Sequence, residues 1–202
     1  MSATRRRSTG SPTGVARKEL IVRAAAKVFS EKGFSSATVR DIADEADMLS
    51  GSLYYYFDSK ESMVEEVLTA YLDETVRGYR RAAEEASSAV EALERLIELA
   101  LRGLVEHRAE VTILQNDWHY VRPMEPITRG QRQVEKVWLE TIDRGKEEGA
   151  IRGDLDSRMV YRTVMGAIQA VIRWFDPRGK VGIEDVIAVQ SSILLDGIRI
   201  TP

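Results

Sequence analysis

Apolar residues recur at intervals of three and four positions along most of this chain, and this spacing restricts its fold more than any other feature. The spacing places apolar side chains on one face of an α-helix, whereas a half-buried strand requires strict alternation. In residues 16–32 the apolar face ends at Gly33, and glycine is typical of the position that follows a helix. Runs rich in Val, Ile and Thr, which favour strands, are few. The sequence therefore predicts an all-α protein.

The helical segments divide into an N-terminal group and a longer, more apolar group. In the first group we predict helices at residues 16–32, 38–46 and 50–57, with an N-terminal cap at Thr38. A long helix at residues 59–86, capped by Asp58–Ser59, is predicted to join the two groups. In the second group we predict helices at residues 88–107, 109–121, 127–148, 156–175 and 183–198. We therefore expect a disordered basic tail at 1–14, a three-helix domain at 15–60 and a larger helical domain at 61–202.

Residues 48–61, MLSGSLYYYFDSKE, contain three consecutive tyrosines that cannot all lie in a core, because each buried hydroxyl needs a partner. In a helix, Leu53, Tyr56 and Phe57 share one face. The other face is small, polar and aromatic, and carries Ser50, Gly51, Ser52, Tyr54 and Tyr55. Two short helices joined by three or four residues form a helix-turn-helix, whose second helix lies in the major groove. The segment therefore predicts a face that contacts DNA.

The uneven distribution of charge agrees with this prediction. Residues 1–60 carry 10 Lys or Arg and 7 Asp or Glu, whereas the remainder carries 19 and 25. A basic end on an acidic body is expected when only that end meets a polyanion. Arg5–Arg7 lie in a tail rich in Ser, Thr, Gly and Pro, which is either a solvated disordered segment or an arm for the minor groove.

Residues 33–68, GFSSATVRDIADEADMLSGSLYYYFDSKESMVEEVL, resemble the DNA-binding segment of TetR-family transcriptional repressors. The matching elements are the Gly-x-x-x-x-Thr start, the Ile-Ala…Ala scaffold helix, the Gly-x-Leu-Tyr-x-Tyr-Phe recognition helix and the Ser-Lys-Glu that follows. The resemblance implies a homodimer that binds double-stranded operator DNA and is released by a small-molecule effector. It also implies that residues 15–60 form the DNA-binding domain and residues 61–202 the effector-binding and dimerisation domain.

The resemblance implies specific DNA contacts. Residues expected to hold phosphates are Thr38, Arg40, Tyr54, Tyr55 and Lys60. Residues expected nearest the base edges are Ser50, Gly51 and Ser52. The chain departs from the family at two positions: Asp47 stands where the turn usually has glycine, and Leu49 replaces a polar residue. We expect Leu49 to pack rather than contact a thymine methyl group, and Ser50 to cap the recognition helix.

Polar and aromatic residues within apolar helical stretches indicate an effector site in the larger domain. The candidate ligand-binding residues are Gln115, Trp118, His119, Trp138, Gln169, Arg173 and Trp174. A charge such as Arg173 is costly in an apolar run unless it is paired, solvated or functional. Two interpretations stay open for Arg173: a salt bridge at the helix end, or contact with an anionic group of the effector.

The last two predicted helices carry apolar stripes suited to a four-helix interface between two copies. The stripe of the first comprises Val160, Val164, Ala167, Ile168 and Val171, and that of the second Val186, Ile187, Val189, Ile193 and Leu194. The alternative is intrachain core, which we expect for about half of these positions.

Two further phrases, EEGAIRGDLDSRMVYR and RWFDPRGK, resemble actinobacterial TetR-type repressors of steroid (cholesterol) catabolism. Some of those repressors respond to coenzyme A thioesters of ring-degradation intermediates. The resemblance implies a long cleft for an apolar fused-ring acid and a phosphate-rich tail, with Arg173 and Arg162 as anion partners. Alternatives are a repressor of efflux or fatty-acid genes with an unrelated apolar ligand, and a helical dimer that does not bind DNA.

Several functional classes are not expected. The sequence has no Ser/His/Asp arrangement at motif spacing, phosphate-binding glycine loop or HExxH motif, so we expect neither an enzyme nor a cofactor. His107 and His119 lack partners at metal-ligand spacing, and cysteine is absent. No stretch approaches 18 apolar residues and no secretory leader is evident, so we expect a cytoplasmic protein without a membrane partner.

Overall fold

The structure, a computed structural model, describes residues 12–200, and within them the secondary structure is almost entirely helical. The elements are α1 (Pro12–Lys32), α2 (Val39–Glu45), α3 (Ser50–Leu53), α4 (Lys60–Glu85), α5 (Ala89–Glu106), α6 (Arg108–Asn116), α7 (Trp118–Val121), α8 (Glu125–Glu147), α9 (Ser157–Trp174) and α10 (Ile183–Asp196). An isolated antiparallel bridge joins Ile151 to Arg199. The all-α prediction is confirmed. The predicted arginine tail lies outside the described residues.

Two predicted helices differ from the observed ones. The segment predicted at 109–121 is interrupted at Asp117, which separates α6 from α7. The recognition helix predicted at 50–57 is α-helical only to Leu53; beyond it, Tyr55 and Tyr56 donate their N–H groups to the carbonyls three residues earlier, of Ser52 and Leu53. Phe57 closes the segment by donating its N–H to the Leu53 carbonyl four residues earlier, and Ser59, two residues further on, is extended and caps α4.

Local hydrogen bonds explain where the key helices begin. Thr38 caps α2 in a reciprocal capping box with Asp41, as predicted, and Ser59 caps α4 in the same way with Ser62. The prediction that Ser50 caps α3 is wrong. Leu49 occupies that position with extended backbone and no side-chain cap, so α3 starts without a side-chain acceptor for its free N–H groups.

The long helix α4 connects the two parts of the molecule. Its first turns bury Met63 and Val64 against the N-terminal helices, and its later turns pack along α8. The α4–α8 approach requires Gly130, because a Cβ there would come within 2.9 Å of Leu72 Cβ. Trp138 of α8 is fully buried at the centre of the larger domain.

Among the described helices, none combines the length and the apolar character that crossing a bilayer would demand.

Candidate functional site

The helix-turn-helix is positioned by the buried face of α2 and α3. Ile42, Ala43 and Leu53 are fully buried, and Met48 donates its N–H to Ala43 O at 2.9 Å across the turn. The turn places Asp47 at φ +52°, a left-handed conformation in which glycine is unstrained and aspartate is tolerated. The turn therefore forms without the glycine usual in the family.

Exposure on the other face follows the sequence pattern. Tyr54 and Tyr55 are exposed, Tyr55 by 73%, and Gly51 has open space around the position of a Cβ. Thr38 and Arg40 are also exposed, whereas Ser50 and Ser52 are half-buried. Arg40 lies 3.9 Å from the Asp44 carboxylate in a fully solvated pair, which leaves its guanidinium accessible.

The packing expected of Leu49 is not observed. Its side chain is 81% exposed at the N-terminal end of α3. The extended backbone of Leu49 points it away from the core that Leu53 and Phe57 enter. An apolar side chain therefore stands beside the small residues of the recognition helix.

The Lys60 ammonium, which was expected to contact a phosphate, is hydrogen-bonded within the protein instead. Its ammonium donates hydrogen bonds to the carbonyls of Phe34 (2.7 Å), Ala37 (2.9 Å) and Ser35 (3.3 Å). It also lies 4.5 Å from the centroid of the Phe34 ring. Because an ammonium has three N–H donors, these carbonyls occupy the hydrogen-bonding capacity of Lys60. In this conformation Lys60 holds the connection between α1 and α2.

A cleft of about 1080 Å³ lies in the larger domain, between α4, α5, α6, α8 and α9. Its volume is slightly above the ~300–1,000 Å³ typical of small-molecule sites. Buried apolar residues form much of its wall: Leu72, Ala100, Leu104, Val111, Val134 and Ile168.

Three tyrosines add polar groups to this apolar wall. Tyr71 and Tyr79 project from α4 and Tyr161 from α9. Burial raises the pKa of Tyr79 and Tyr71, and raises the pKa of Tyr161 to about 12, with the nearby Glu135 carboxylate contributing. The hydroxyls therefore stay protonated at neutral pH and can donate hydrogen bonds to a ligand.

Arginines mark the solvent side of the cleft. Arg108, Arg132 and Arg173 line it and are exposed. Arg108 donates to Ile172 O at 3.0 Å, and Arg132 lies 3.7 Å from the Glu125 carboxylate. The salt bridge considered for Arg173 is not found among residues 12–200, so its guanidinium is available to an anion at the mouth.

The structure separates the seven predicted ligand-binding residues into two sets. Gln115, Trp118, Gln169 and Arg173 line the cleft, and the Gln115 amide donates to Gln169 O at 3.3 Å across it. Trp138 does not line it, because it is core, with its ring edge-on to Tyr79 at 5.9 Å. His119 stacks on Tyr120 outside the cleft, and Trp174 is exposed beside Phe175. Arg162 is also exposed and does not line it.

The tyrosines of α4 and the rim residues Arg108 and Arg132 were not among the ligand-binding residues predicted from the sequence. A signal was present, since Tyr71, Thr75 and Tyr79 are spaced by four and lie on one helical face of the cleft. Across the described part of the chain, no cluster of three or more His, Cys, Asp or Glu could hold a metal.

Within the single chain, most of the apolar stripe of α9 is buried, whereas part of the stripe of α10 is exposed. Val160, Val164, Ile168 and Val171 of α9, with Val186 of α10, are intrachain core. Val189 and Ile193 of α10 are exposed, Ile193 by 67%, and Met159 and Trp174 of α9 are exposed as well. A residual apolar surface therefore remains on these two helices.

Comparison with known proteins accounts for both parts of the molecule. Residues 21–67 match the family model of bacterial regulatory proteins of the tetR family, and residues 86–198 match that of a tetracyclin repressor-like C-terminal domain. The chain belongs to the TetR family. It is a helix-turn-helix transcriptional regulator, not an enzyme, as the sequence predicted.

One individual relative matches the chain both in sequence and in structure. The HTH-type transcriptional repressor KstR2 of Mycobacterium tuberculosis is 35% identical over 185 residues, which cover 90% of this chain and 92% of the relative. The structure of the ketosteroid transcriptional regulator KstR2 from the same organism superposes with a TM-score of 0.84 at 33% identity, covering 92% of this chain and 96% of that one. The predicted resemblance to repressors of steroid catabolism is therefore confirmed, in sequence and in structure.

A second solved structure shares the fold. AibR in complex with isovaleryl coenzyme A and operator DNA gives a TM-score of 0.78 over 89% of this chain and 98% of that one. At 18% identity the match establishes the common architecture only.

Proposed function

We propose that this regulator represses transcription as a homodimer on operator DNA and is released by an effector with an apolar body and an anionic group. The effector class we propose is a coenzyme A thioester of a steroid-degradation intermediate. The observation that carries the proposal is the cleft of about 1080 Å³, in which an apolar wall with tyrosine hydroxyls meets three arginines at the solvent side.

The chemistry of the cleft supports this effector class. Buried aliphatic side chains suit a fused-ring body, and protonated tyrosines can donate to its ketone or hydroxyl oxygens. Arg173, Arg132 and Arg108 suit the phosphates of a coenzyme A tail, because guanidinium groups bind phosphate with paired hydrogen bonds. The relationship to KstR2, whose structure is that of a ketosteroid transcriptional regulator, points the same way.

On the DNA side, we propose that Ser50, Gly51 and Ser52 approach base edges from α3. Thr38, Arg40, Tyr54 and Tyr55 are proposed to hold phosphates. The exposure of Tyr54, Tyr55 and Arg40 supports these roles. Lys60 is left out of the proposed phosphate contacts, because its N–H groups already donate to carbonyl oxygens.

The homodimer is proposed to form through the exposed apolar residues of α9 and α10. Val189 and Ile193 would pack against their symmetry mates, with Met159 and Trp174 alongside. A two-fold dimer presents two recognition helices to half-sites about 34–36 Å apart, and effector binding would favour a dimer geometry that no longer matches this spacing.

A gel-shift titration on the DNA flanking this protein's own gene tests the proposal. The titration is repeated with coenzyme A thioesters of fused-ring acids, with the free acids and with coenzyme A alone. We expect release by a thioester but by neither of its parts. A specific shift without release would reject the effector class, and the absence of a salt-sensitive specific shift would reject the repressor.

Two arginine variants refine the test of the effector site. Arg173→Gln is expected to raise the thioester concentration needed for release about tenfold or more, because a charge-assisted contact to phosphate is lost. Arg80→Gln is the matched control, since Arg80 is exposed on α4 and does not line the cleft. Equal behaviour of the two variants would remove Arg173 from the site.

A further inference from the structure

The described residues contain one buried charged side chain, that of Asp117, which is only 7% exposed. Asp117 lies at the break between α6 and α7, where the backbone leaves the helical conformation at φ −109°, ψ 16°. A buried carboxylate is costly unless hydrogen bonds compensate it. Its position at a helix break therefore calls for a specific partner.

The partner belongs to the DNA-binding part of the chain. Phe34 donates its backbone N–H to Asp117 Oδ2 at 3.0 Å, a contact that spans 83 residues of sequence. Phe34 follows Gly33, whose φ of +76° is left-handed and ends α1. The carboxylate thus binds the chain at the point where it leaves α1 towards the helix-turn-helix.

Phe34 is held on its other side as well. Its carbonyl accepts the hydrogen bond from Lys60 at 2.7 Å, and its ring contacts Tyr120 at a centroid distance of 5.6 Å. The N–H of Phe34 is therefore bound by a carboxylate of the larger domain and its carbonyl by the ammonium that starts α4. Hydrogen bonds to charged groups are stronger than neutral ones, so this residue is firmly fixed.

Asp117 is also adjacent to the cleft. Gln115, Asn116 and Trp118, the residues on either side of it, line the cleft. The α6–α7 junction that carries Asp117 is therefore part of the cleft wall.

We propose that Asp117 couples the cleft to DNA binding. In the DNA-binding state its carboxylate holds Phe34 N–H; occupation of the cleft withdraws it, and the connection from Gly33 to the Thr38 cap of α2 is released from the larger domain. This inference rests on the proposed function. It assigns the transmission from the effector cleft to the DNA-binding helices to one positioning residue, Asp117. It requires only that the ligand binds more tightly to the state in which the Asp117–Phe34 bond is broken.

The first experiment measures coupling, defined as the ratio of operator dissociation constants with and without a saturating thioester of a fused-ring acid. Typical couplings are about 5- to 150-fold. We expect Asp117→Ala to reduce the ratio to about twofold or less, while its affinity for the thioester in calorimetry stays the same or increases, because the ligand no longer has to break the Asp117–Phe34 bond. Asp117→Asn retains an uncharged acceptor, and its ratio should lie between those of wild type and Asp117→Ala. A wild-type ratio in a folded Asp117→Ala variant would overturn the proposal.

The control is Asp73→Ala, which removes an exposed carboxylate on α4 and should keep the wild-type ratio. Circular dichroism and thermal melting establish that each variant is folded. If Asp117→Ala does not fold, Asp117→Asn carries the comparison, and a wild-type ratio in that variant counts against the proposal.

A second experiment uses the wild-type protein and compares it with and without the thioester. Hydrogen exchange of the Phe34 amide should be slow in the free and operator-bound protein and at least about tenfold faster with the thioester bound. Unchanged exchange in a complex that has released its DNA would overturn the proposal.

Failure of the proposed function is distinguishable from failure of this inference. If no thioester releases the wild-type protein, the effector class is wrong. Asp117 is then tested in the free protein, where Asp117→Ala must accelerate exchange at Phe34, and unchanged exchange would reject the link between the two domains.

Discussion

A single exposed leucine is common on protein surfaces, but Leu49 occupies a position where apolar exposure has a consequence. It stands at the start of the recognition helix, beside Ser50 and the exposed Gly51. In the major groove the apolar feature of a base edge is the methyl group of thymine. The exposure of Leu49 therefore favours the methyl contact over the packing that the sequence led us to expect.

Removing the thymine methyl tests this contact directly. Replacement of operator thymines by deoxyuridine, one at a time, should weaken wild-type binding about fivefold at one position of each half-site, the effect of losing ~1 kcal/mol of methyl burial. Leu49→Ala should bind all of these operators equally. Leu99→Ala, which removes an exposed leucine on α5, should behave as wild type. Equal sensitivity of Leu49→Ala and wild type to the loss of any methyl would contradict the contact.

The other departure from the family, Asp47, could be foreseen from the sequence. A turn that usually contains glycine must adopt a positive φ, and Asp47 does so at +52°. The exposure of Leu49 could not be foreseen, because an apolar residue next to a helix start packs or not according to the neighbours that the fold supplies. The engagement of Lys60 by three carbonyls likewise depends on a loop about 25 residues earlier in the chain.

At the scale of the element, α2 begins with a network of three side chains. The Asp41 carboxylate accepts from the Thr38 N–H and hydroxyl, and from the Lys32 ammonium at 2.6 Å. These bonds to Lys32 and Thr38 lower the pKa of Asp41 to about 2. The start of the scaffold helix is therefore coupled to the end of α1.

This network predicts a pH dependence for the stability of α2. Because the pKa of folded Asp41 lies below its ordinary value, the ionised carboxylate stabilises the helix at pH above about 4 and this stabilisation is lost as the pH falls towards 2. Protection factors of the α2 amides should differ between wild type and Asp41→Asn at pH 5, and the difference should shrink by pH 2. Asp44→Asn, which alters an exposed carboxylate of the same helix, is the control and should leave the α2 protection factors at pH 5 as in wild type. A difference that stays constant over this range would contradict the assignment.

Most helices could be predicted because their periodicity is long and their ends carry Gly, Pro or capping residues. The break at Asp117 could not, since TILQNDWHYV keeps its apolar spacing through it. The cause of the break is tertiary: Asp117 binds Phe34, 83 residues away. Trp138 was placed in the ligand site wrongly for a related reason, because core and cleft-lining aromatics look alike in a helical stretch. The cleft depends on how several helices are arranged around it, an arrangement that brings Tyr71 and Tyr79 of α4 to the same cavity as Tyr161 of α9.

At the scale of the whole molecule, a repressor with one recognition helix per chain needs a second copy. After intrachain packing, exposed apolar side chains remain on α9 and α10, among them Val189 and Ile193 of α10. Burial of an isoleucine side chain contributes about 1.5–3 kcal/mol, and two-fold symmetry doubles the contribution.

We expect Ile193→Glu to raise the dimer dissociation constant at least about 100-fold, because a carboxylate would replace an apolar contact in both copies. Sedimentation velocity should show a monomer at concentrations where wild type is a dimer, and operator affinity should fall in parallel. Leu20→Glu is the control, since Leu20 is an exposed leucine on α1. A dimeric Ile193→Glu variant would place the interface elsewhere.

The three tryptophans lie in three separate environments, which has a practical consequence. Trp138 is sealed in the core, Trp118 lines the cleft beside Asp117, and Trp174 is exposed on the C-terminal turn of α9. The wavelength of indole emission depends on the polarity around the ring. Variants that retain one tryptophan each would therefore report on three different processes through their emission wavelength. Trp138 would follow folding, Trp118 occupation of the cleft and Trp174 association of the two copies. The chain thus contains an intrinsic optical probe for every step of its proposed regulatory cycle except contact with the operator.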